Sequence, residues 1–238
     1  MELKDMIWAR RSVRKYVDEP LKEGDLRELR YAFGRFKPLY PGIRVRWEIL
    51  EKEQVRFYIP WKSPQLMAIY SEKKEGYLEN VGFLFQQMDL YLQSIGLGSC
   101  WVGLGKPRHQ NEEDGAEFVV LLAFGTPQGT TLRIGSADFK RKTLAQIADR
   151  PDPALEPARL APSSTNSQPW FFAHEEDAVH AYMATDGLRR HTMIGTMNRI
   201  DMGIALAHMY VANEDRFRFF CVEAPRKEGY QYIGSFIL

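Results

Sequence analysis

Two apolar segments, one in each half of the 238-residue chain, restrict its folding most strongly. Residues 80–88 and 199–209 both have the composition of buried helices. Each carries a glycine six residues before a methionine, Gly82 before Met88 and Gly203 before Met209. Glycine inside a helix costs roughly 1 kcal/mol relative to alanine, so we expect both glycines to permit close helix–helix approach. The pattern fits an internal repeat or two unrelated buried helices.

The hydrophobic pattern predicts an α+β fold with mainly antiparallel strands. Helices are predicted at residues 3–10, 24–34, 78–95, 155–161 and 198–213. Strands are predicted at residues 45–51, 55–59, 65–71, 99–102, 118–124, 170–173, 179–183, 217–222 and 230–237. Turn-forming residues cluster at 125–131 and 149–153, which places the join between two halves near residues 140–155.

Composition excludes several classes of protein. A hydrophobic content of 45% allows a substantial core, and a net charge of +1 argues against a general nucleic-acid-binding surface. No apolar run is long enough to span a bilayer, and no signal-peptide pattern is present. Cys100 and Cys221 have no disulfide-framework spacing. We therefore expect a cytoplasmic protein with no membrane partner.

A basic segment follows the first predicted helix. Arg10, Arg11, Ser12 and Arg14 stand within five residues of one another. Guanidinium groups form forked, charge-assisted hydrogen bonds that match a phosphate dianion, and a serine hydroxyl can complete the shell. The alternative is a solvated basic turn, which is the commoner fate of a run of charge.

A second polar segment, residues 161–170, connects a short predicted helix to a strand. Pro162 and Pro169 bracket it. The polar side chains between them include those of Ser163, Ser164, Asn166, Ser167 and Gln168. Asparagine and glutamine offer both donors and acceptors, as the edge of a planar heterocycle with carbonyl and imide groups requires. The alternative is an ordinary polar loop.

Together these segments resemble the nitroreductase superfamily of flavin-dependent oxidoreductases. The matching segments are residues 10–14, 96–103, 139–147 and 161–170. The resemblance implies a nitroreductase-like α+β fold with mainly antiparallel sheets and central packed helices. It also implies flavin mononucleotide (FMN) as cofactor, NADH or NADPH as electron donor, and a nitroaromatic or quinone as small-molecule acceptor.

The resemblance also assigns residues to the cofactor. The implied cofactor-binding residues are Arg10, Arg11, Ser12, Arg14, Gly103, Leu104, Lys140, Arg141, Pro162, Ser163, Ser164, Asn166 and Gln168. In the family, main-chain amides at the place of Gly103 and Leu104 face the N5 and O4 edge of the flavin. The family position favours Lys140 and Arg141 over Lys142 at the phosphate, although a solvated face explains the three residues equally well. The first half also offers Phe36, Tyr40 and Trp61 as aromatic linings for an open pocket.

The order of the segments departs from the family pattern. In typical members the polar loop follows the arginine segment within a few tens of residues. Here residues 33–42 occupy that place without the motif, and the loop comes about 150 residues after the arginines. Family members form homodimers in which each flavin contacts both subunits. We therefore predict one internally duplicated, monomeric chain with a single composite site, built from residues 1–145 and 146–238.

Other interpretations remain at this point. The chain could be a degenerate, non-catalytic relative that binds a flavin or nucleotide, or binds no cofactor. A flavin-fragmenting or dehalogenating branch of the superfamily would share the same site. The sequence has no Walker-type loop, no nucleophile elbow and no metal-ligand spacing among its five histidines. His208 is expected to be a hydrogen-bonded core residue, and Cys100 a small buried one.

Overall fold

The computed structural model describes residues 2–110, 114–129, 132–185 and 193–238. The helices are Leu3–Ala9 (α1), Glu23–Phe33 (α2), Tyr77–Ser94 (α3), Leu144–Ile147 (α4), Glu156–Leu160 (α5) and Met193–Ala212 (α6). The strands are Val45–Glu51 (β1), Val55–Phe57 (β2), Gln65–Glu72 (β3), Gly98–Val102 (β4), Gly105–Pro107 (β5), Ala116–Gly125 (β6), Trp170–Glu175 (β7), Ala178–Ala184 (β8), Arg218–Phe220 (β9) and Tyr230–Ile237 (β10).

Two four-stranded sheets form the framework of the fold. Their strand orders are β1-β3-β6-β4 and β7-β8-β10-β9, and every neighbouring pair is antiparallel. In sequence, α3 lies between β3 and β4, and α6 lies between β8 and β9. The two sheets therefore have the same strand order, each with one long helix at the same place in the sequence. The predicted α+β class with mainly antiparallel strands is confirmed.

The central strands of the first sheet are apolar on both faces. Met67 and Ile69 of β3 pack into the main core with α3, whereas Leu66 and Ala68 pack into a second cluster on the opposite face. This division follows from the period of two in a strand, which directs successive side chains to opposite faces. A strand buried on both faces needs a continuous apolar run, and that run made β3 predictable.

The two long helices cross at their glycines. A Cβ atom at Gly82 would lie 2.9 Å from the main-chain carbonyl carbon of Ile200, and one at Gly203 would lie 2.7 Å from that of Glu79. Each glycine thus faces the residue three positions before the other glycine. Only glycine, which has no Cβ atom, allows the two main chains to approach this closely. The predicted close approach of the helices is confirmed, and both helices are buried at the crossing.

The same two helices hold equivalent loops. Oδ1 of Asn80, two residues before Gly82, accepts a hydrogen bond of 2.9 Å from the main-chain N–H of Tyr40. The carboxyl group of Asp201, two residues before Gly203, accepts from the main-chain N–H of Ser164 at 3.1 Å. Residues 33–42 and the polar loop therefore occupy corresponding positions against the two helices.

Several element boundaries differ from the predicted ones. Helix α6 begins at Met193, five residues before the predicted start at 198. Strand β2 ends at Phe57, shortly before Pro60, because proline has no main-chain N–H to donate to a neighbouring strand. Strand β9 covers only Arg218–Phe220 of the predicted 217–222. The short elements β5 and α4 were not predicted. In the described ranges, no helix is long and apolar enough to cross a membrane.

Candidate functional site

A cavity of about 310 Å³ is lined by residues from both the N-terminal and the C-terminal parts of the sequence. Seven of the predicted site residues line it: Ser12, Arg14, Gly103, Leu104, Pro162, Ser163 and Ser164. Its other walls are formed by Ile59, Trp61, Cys100, Trp101, Val102, Val120, Thr165, Met197, Asn198, Ile200, Asp201 and Ile204. The arginine segment and the polar loop, far apart in sequence, therefore meet at one cavity.

The arginine segment reaches the cavity by running along the first sheet. Helix α1 ends at Ala9, and the chain then extends beside β4, where the N–H of Val13 donates to Ser99 O at 2.9 Å. A Cβ atom at Gly98 would lie 2.8 Å from the Val13 side chain, so glycine is required for this close pairing. The segment is thereby fixed with Ser12 and Arg14 on the cavity wall.

Arg10 is held in a buried ion pair behind the cavity wall. Its Nε lies 2.8 Å from Oδ2 of Asp89, and both side chains are inaccessible to solvent. The hydroxyl of Ser99 donates to Oδ1 of Asp89 at 2.6 Å, and Nη2 of Arg10 donates to Ser12 Oγ at 3.4 Å. A buried ion pair is strongly destabilising when one partner is removed. Arg10 therefore fixes the position of Ser12 and does not line the cavity itself.

A neutral histidine completes the network behind the wall. His208 Nδ1 donates to Pro157 O at 2.9 Å, and its Nε2 accepts from Nε2 of Gln86 at 3.1 Å. The indole N–H of Trp101 donates to Oε1 of Gln86 at 3.1 Å, which fixes the ring at the cavity. Burial, with the charge of Arg10, lowers the pKa of His208 to about 3, so the ring is neutral at pH 7. The expectation of a hydrogen-bonded core histidine is confirmed.

The polar loop has an unusual backbone. Thr165, Asn166 and Gln168 have φ angles of 52°, 59° and 48°. The left-handed region is unfavourable for non-glycine residues and most of all for a β-branched one such as Thr165. Internal hydrogen bonds hold it: Gln168 N–H donates to Ser163 Oγ at 2.9 Å, and Gln168 Nε2 donates to Asn166 O at 3.1 Å. Strained backbone of this kind clusters at functional sites.

The basic segment braces the loop from outside. Lys142 N–H donates to Oε1 of Gln168 at 2.7 Å, and Nδ2 of Asn166 donates to Lys140 O at 2.9 Å. Nη1 of Arg141 donates to Oδ1 of Asn166 at 2.8 Å. The amides of Asn166 and Gln168 are thus engaged with the protein, and neither residue lines the cavity. Lys140 contributes its carbonyl while its side chain is exposed.

An arginine cluster adjoins this loop. Burial, together with the guanidinium groups of Arg10, Arg133 and Arg159, lowers the pKa of Arg141 to about 10. Arg159 is paired with Glu156 at 2.6 Å, whereas Arg141 forms no ion pair with any described carboxylate. Nε of Arg141 is buried without a hydrogen-bond partner. The cluster therefore favours an anion at Arg141, which would relieve the repulsion and supply an acceptor.

Arg133 and Arg11 extend the cluster. The guanidinium carbon of Arg133 lies 4.1 Å from the centre of the Phe139 ring, and Arg133 also donates to Arg10 O. Burial and the charges of Arg10 and Arg11 lower the pKa of Arg133 to about 10. The side chain of Arg11 is exposed, and its main-chain N–H donates to Oε1 of Gln93 at 2.8 Å. None of the three residues Arg11, Arg133 and Arg141 lines the cavity itself.

The remaining cavity walls are largely apolar. Trp61 and Trp101 line it, and Met197 lies so close to Gly103 that a Cβ there would be 3.1 Å from its sulfur. Of the three aromatic residues suggested from the sequence, only Trp61 lines this cavity. Phe36 lines a separate open groove. Tyr40 packs edge-on against Phe219, with ring centres 5.5 Å apart.

Metal and thiol chemistry find no support in the described part of the chain. No cluster of histidine, cysteine or acidic side chains with metal-ligand geometry occurs there. Cys100 lines the cavity, is buried, and has a pKa that burial raises above its usual range. A raised pKa disfavours the thiolate and therefore nucleophilic chemistry. Cys100 is a small buried residue, as the sequence predicted.

A comparison with models of known protein families identifies the family of this chain. The family described as "Putative TM nitroreductase" matches residues 2–213. The chain belongs to this family. The resemblance to nitroreductases is thus confirmed over nearly the whole sequence, and the chain is an oxidoreductase of the nitroreductase type.

Solved structures with this nitroreductase fold include a protein from Thermotoga maritima described as a putative nitroreductase. It is 20% identical, has a TM-score of 0.69, and the match covers 100% of this chain and 94% of that chain. An FMN-dependent nitroreductase from Clostridium difficile R20291 is 16% identical, with a TM-score of 0.44 and coverage of 59% and 98%. A nitroreductase family protein from Clostridium difficile 630 is 15% identical, with a TM-score of 0.48 and coverage of 62% and 96%. A comparison with curated proteins returned no match.

Two residues at or beside the cavity were not singled out from the sequence. Asp201 lines the cavity from α6, and burial raises its pKa to about 8. The sequence does mark Asp201, because it is an acidic residue between Ile200 and Met202 in an apolar helix. No comparable sequence pattern marks Arg133, because nothing near it in sequence indicates that its side chain would donate a hydrogen bond to the main-chain carbonyl of Arg10.

Proposed function

We propose that this protein is an FMN-dependent NAD(P)H oxidoreductase of the nitroreductase type, with its flavin in the cavity between the halves. The observation that carries the proposal is the meeting of two chemically different groups at that cavity. Ser12 and Arg14 come from the arginine segment, and Ser163 and Ser164 come from the strained polar loop. Family members hold FMN with these two kinds of segment.

The phosphate of FMN fits the arginine cluster. Arg141 has a buried Nε that lacks a partner, and its charge is raised in energy by its cationic neighbours. A phosphate dianion would accept a hydrogen bond from this free N–H, and its negative charge would offset the repulsion between the neighbouring guanidinium groups. We propose that Arg141, Ser12 and Arg14 hold the phosphate end of the cofactor. Arg10 and Asn166 would then act indirectly, by fixing Ser12 and Arg141.

The ring of FMN fits the apolar part of the cavity. Trp101, Met197 and Leu104 offer flat or soft apolar surface, and about 310 Å³ lies within the usual range of small-molecule sites. Gly103 and Leu104 also line the cavity, and Gly103 has only main chain to present there. Main-chain N–H groups stabilise negative charge without titrating, which suits the edge of a reduced flavin ring.

The residues of this chain would bind and orient, while the cofactor would carry the redox chemistry. When bound, FMN would accept hydride from NADH or NADPH and return the electrons to a nitroaromatic or quinone acceptor. Trp61 and Trp101 would receive a planar acceptor, because aromatic walls favour flat ligands. The Gln86–His208 network would hold the Trp101 ring in place for that contact.

We also propose that the chain is an internally duplicated monomer with one flavin. The common strand order and the reciprocal contacts of Gly82 and Gly203 support a duplication with a boundary near residue 145. Tyr40 corresponds to Ser164 in the other half, and its ring occupies space that a side chain on Gly76 would need. A filled position there would leave the second half-site unable to hold a flavin.

Anaerobic mixing of the FMN-loaded protein with NADH or NADPH tests this function. We expect the absorbance of the bound oxidised flavin to bleach, and a quinone or nitroaromatic to restore it. Protein without flavin serves as the control and should oxidise neither nucleotide. Bound flavin that neither nucleotide reduces would instead favour a non-catalytic flavin-binding protein, and analysis of the flavin after turnover would reveal a fragmenting branch.

A further inference from the structure

One acidic group stands at the cavity without an assigned role. Among the described residues that line the cavity, Asp201 is the sole carboxylic acid. It lies on α6, and its side chain is almost completely inaccessible to solvent. A carboxyl group in an apolar wall is expensive to ionise, so its presence calls for a structural or chemical reason.

The surroundings of Asp201 leave its charge uncompensated. Both of its oxygens lie 3.1 Å from the main-chain N–H of Ser164, which supplies one hydrogen for two acceptors. The hydroxyl of Ser167 is the other donor near the carboxyl, and it also lies 3.4 Å from Oδ1 of Asn198. No described cation forms an ion pair with Asp201.

The charged groups on the helices that pack near Asp201 are paired with other residues. On α3, Glu79 is paired with Arg199 of α6 at 2.8 Å. On α5, Arg159 is paired with Glu156. Arg14 and Cys100 are the other titratable groups on the described cavity wall. Asp201 therefore sits as a neutral acid beside the space where an acceptor would bind.

We propose that Asp201 donates a proton to the acceptor as it is reduced, an inference that rests on the proposed function. Reduction of a quinone to a hydroquinone takes up two electrons and two protons. The hydride that the proposed function supplies would bring both electrons and one proton to one quinone oxygen. The O–H bond of Asp201 breaks and a new O–H bond forms at the other oxygen. Water then returns a proton to the Asp201 carboxylate.

The energetics of the group suit this role. Burial raises the pKa of Asp201 to about 8, so the acid form predominates at pH 7 and is lost as pH rises through 8. A general acid works best when its pKa is near the working pH, and such groups contribute about 10²- to 10⁴-fold to rate. An ordinary aspartic acid would already be ionised at pH 7.

The other half of the chain shows how to separate this role from loop anchoring. Asn80 holds Tyr40 with an amide oxygen, at the position that corresponds to Asp201. The Asp201→Asn variant should therefore keep the hydrogen bond to Ser164, and with it the polar loop. It should bind FMN as tightly as the wild type, and NADH or NADPH should reduce its flavin at an unchanged rate.

The experiment follows acceptor reduction by the FMN-loaded protein between pH 5 and pH 10. We expect the Asp201→Asn variant to reduce a quinone about 10²-fold more slowly at pH 7, and to lack the fall in rate that the wild type shows above pH 8. Glu79→Gln is the matched control, because Glu79 is also a buried carboxyl with a raised pKa but does not line the cavity. This control should retain the wild-type pH profile.

A second readout needs no flavin. The infrared carbonyl band of a protonated carboxyl should titrate with a midpoint near pH 8 in the flavin-free wild type, remain in Glu79→Gln, and be missing from Asp201→Asn. Wild-type turnover together with an unaltered rate and pH profile in Asp201→Asn would overturn this inference alone. A wild type that reduces no acceptor would overturn the proposed function and this inference together.

Discussion

Replacing Gly203 with alanine is expected to lower the free energy of unfolding by about 3 kcal/mol or more. The new Cβ would overlap the main-chain carbonyl of Glu79 and lie 2.9 Å from the main-chain nitrogen of Phe83. Main-chain atoms in the middle of a buried helix cannot yield separately, so α3 and α6 would have to move apart and lose core contacts. Overpacking of this kind costs about 1–3 kcal/mol and sometimes more. Urea titration followed by circular dichroism measures the effect.

Gly24→Ala is the matched control for this prediction. Gly24 also lies inside a helix, but no atom lies within 4 Å of the position that its Cβ would take. Alanine there should leave the protein as stable as before or stabilise it by up to about 1 kcal/mol, because it is the better helix former. Equal effects of the two substitutions would contradict the proposed main-chain contact between the long helices.

Removing the side chain of Arg141 is expected to weaken FMN binding by about 1.5–3 kcal/mol, which is about 10- to 150-fold in the dissociation constant. Arg141 is the cation of the cluster with a buried, unpartnered N–H and no carboxylate partner among the described residues. Loss of a charged hydrogen bond to phosphate sets the magnitude. Isothermal titration calorimetry with FMN measures the change for Arg141→Ala.

Riboflavin, which lacks the phosphate, isolates the cause of that change. Arg141→Ala should bind riboflavin as well as the wild type does, so the preference for FMN should shrink by the same factor. Arg30→Ala serves as the control, since Arg30 is an exposed arginine of α2 that pairs with Glu23 at the surface. An equal loss of affinity for both flavins would mean that Arg141 supports the polar loop, through its hydrogen bond to Asn166, and does not bind the phosphate.

The fold was predictable where local pattern and burial agree. Strand β3 is a continuous apolar run because it is buried on both faces, and Gly82 and Gly203 marked the helix crossing. Strand β5 could not be predicted in this way. It contains a glycine and a proline, which disfavour strands, and it forms only because it pairs with β2. The correspondence of the two sheets depends on strand order, which no short sequence pattern records.

Residue type alone brought part of the candidate site together. Ser12, Arg14, Ser163 and Ser164, which the sequence placed in one composite site, line the same cavity. Sequence could not indicate that the amides of Asn166 and Gln168 would be engaged in bracing a left-handed backbone. It also could not indicate that Arg10 would be paired with Asp89, since the partners are 79 positions apart and meet only after α1 packs on α3.

The most direct test of the composite flavin site is a titration of the purified protein with FMN, followed by removal of the unbound cofactor and a visible absorbance spectrum. We expect the protein to retain the absorbance of an oxidised flavin, with one FMN per chain. A protein that stays colourless after saturating FMN would contradict a flavin site in this chain. Two flavins per chain would contradict the single composite site.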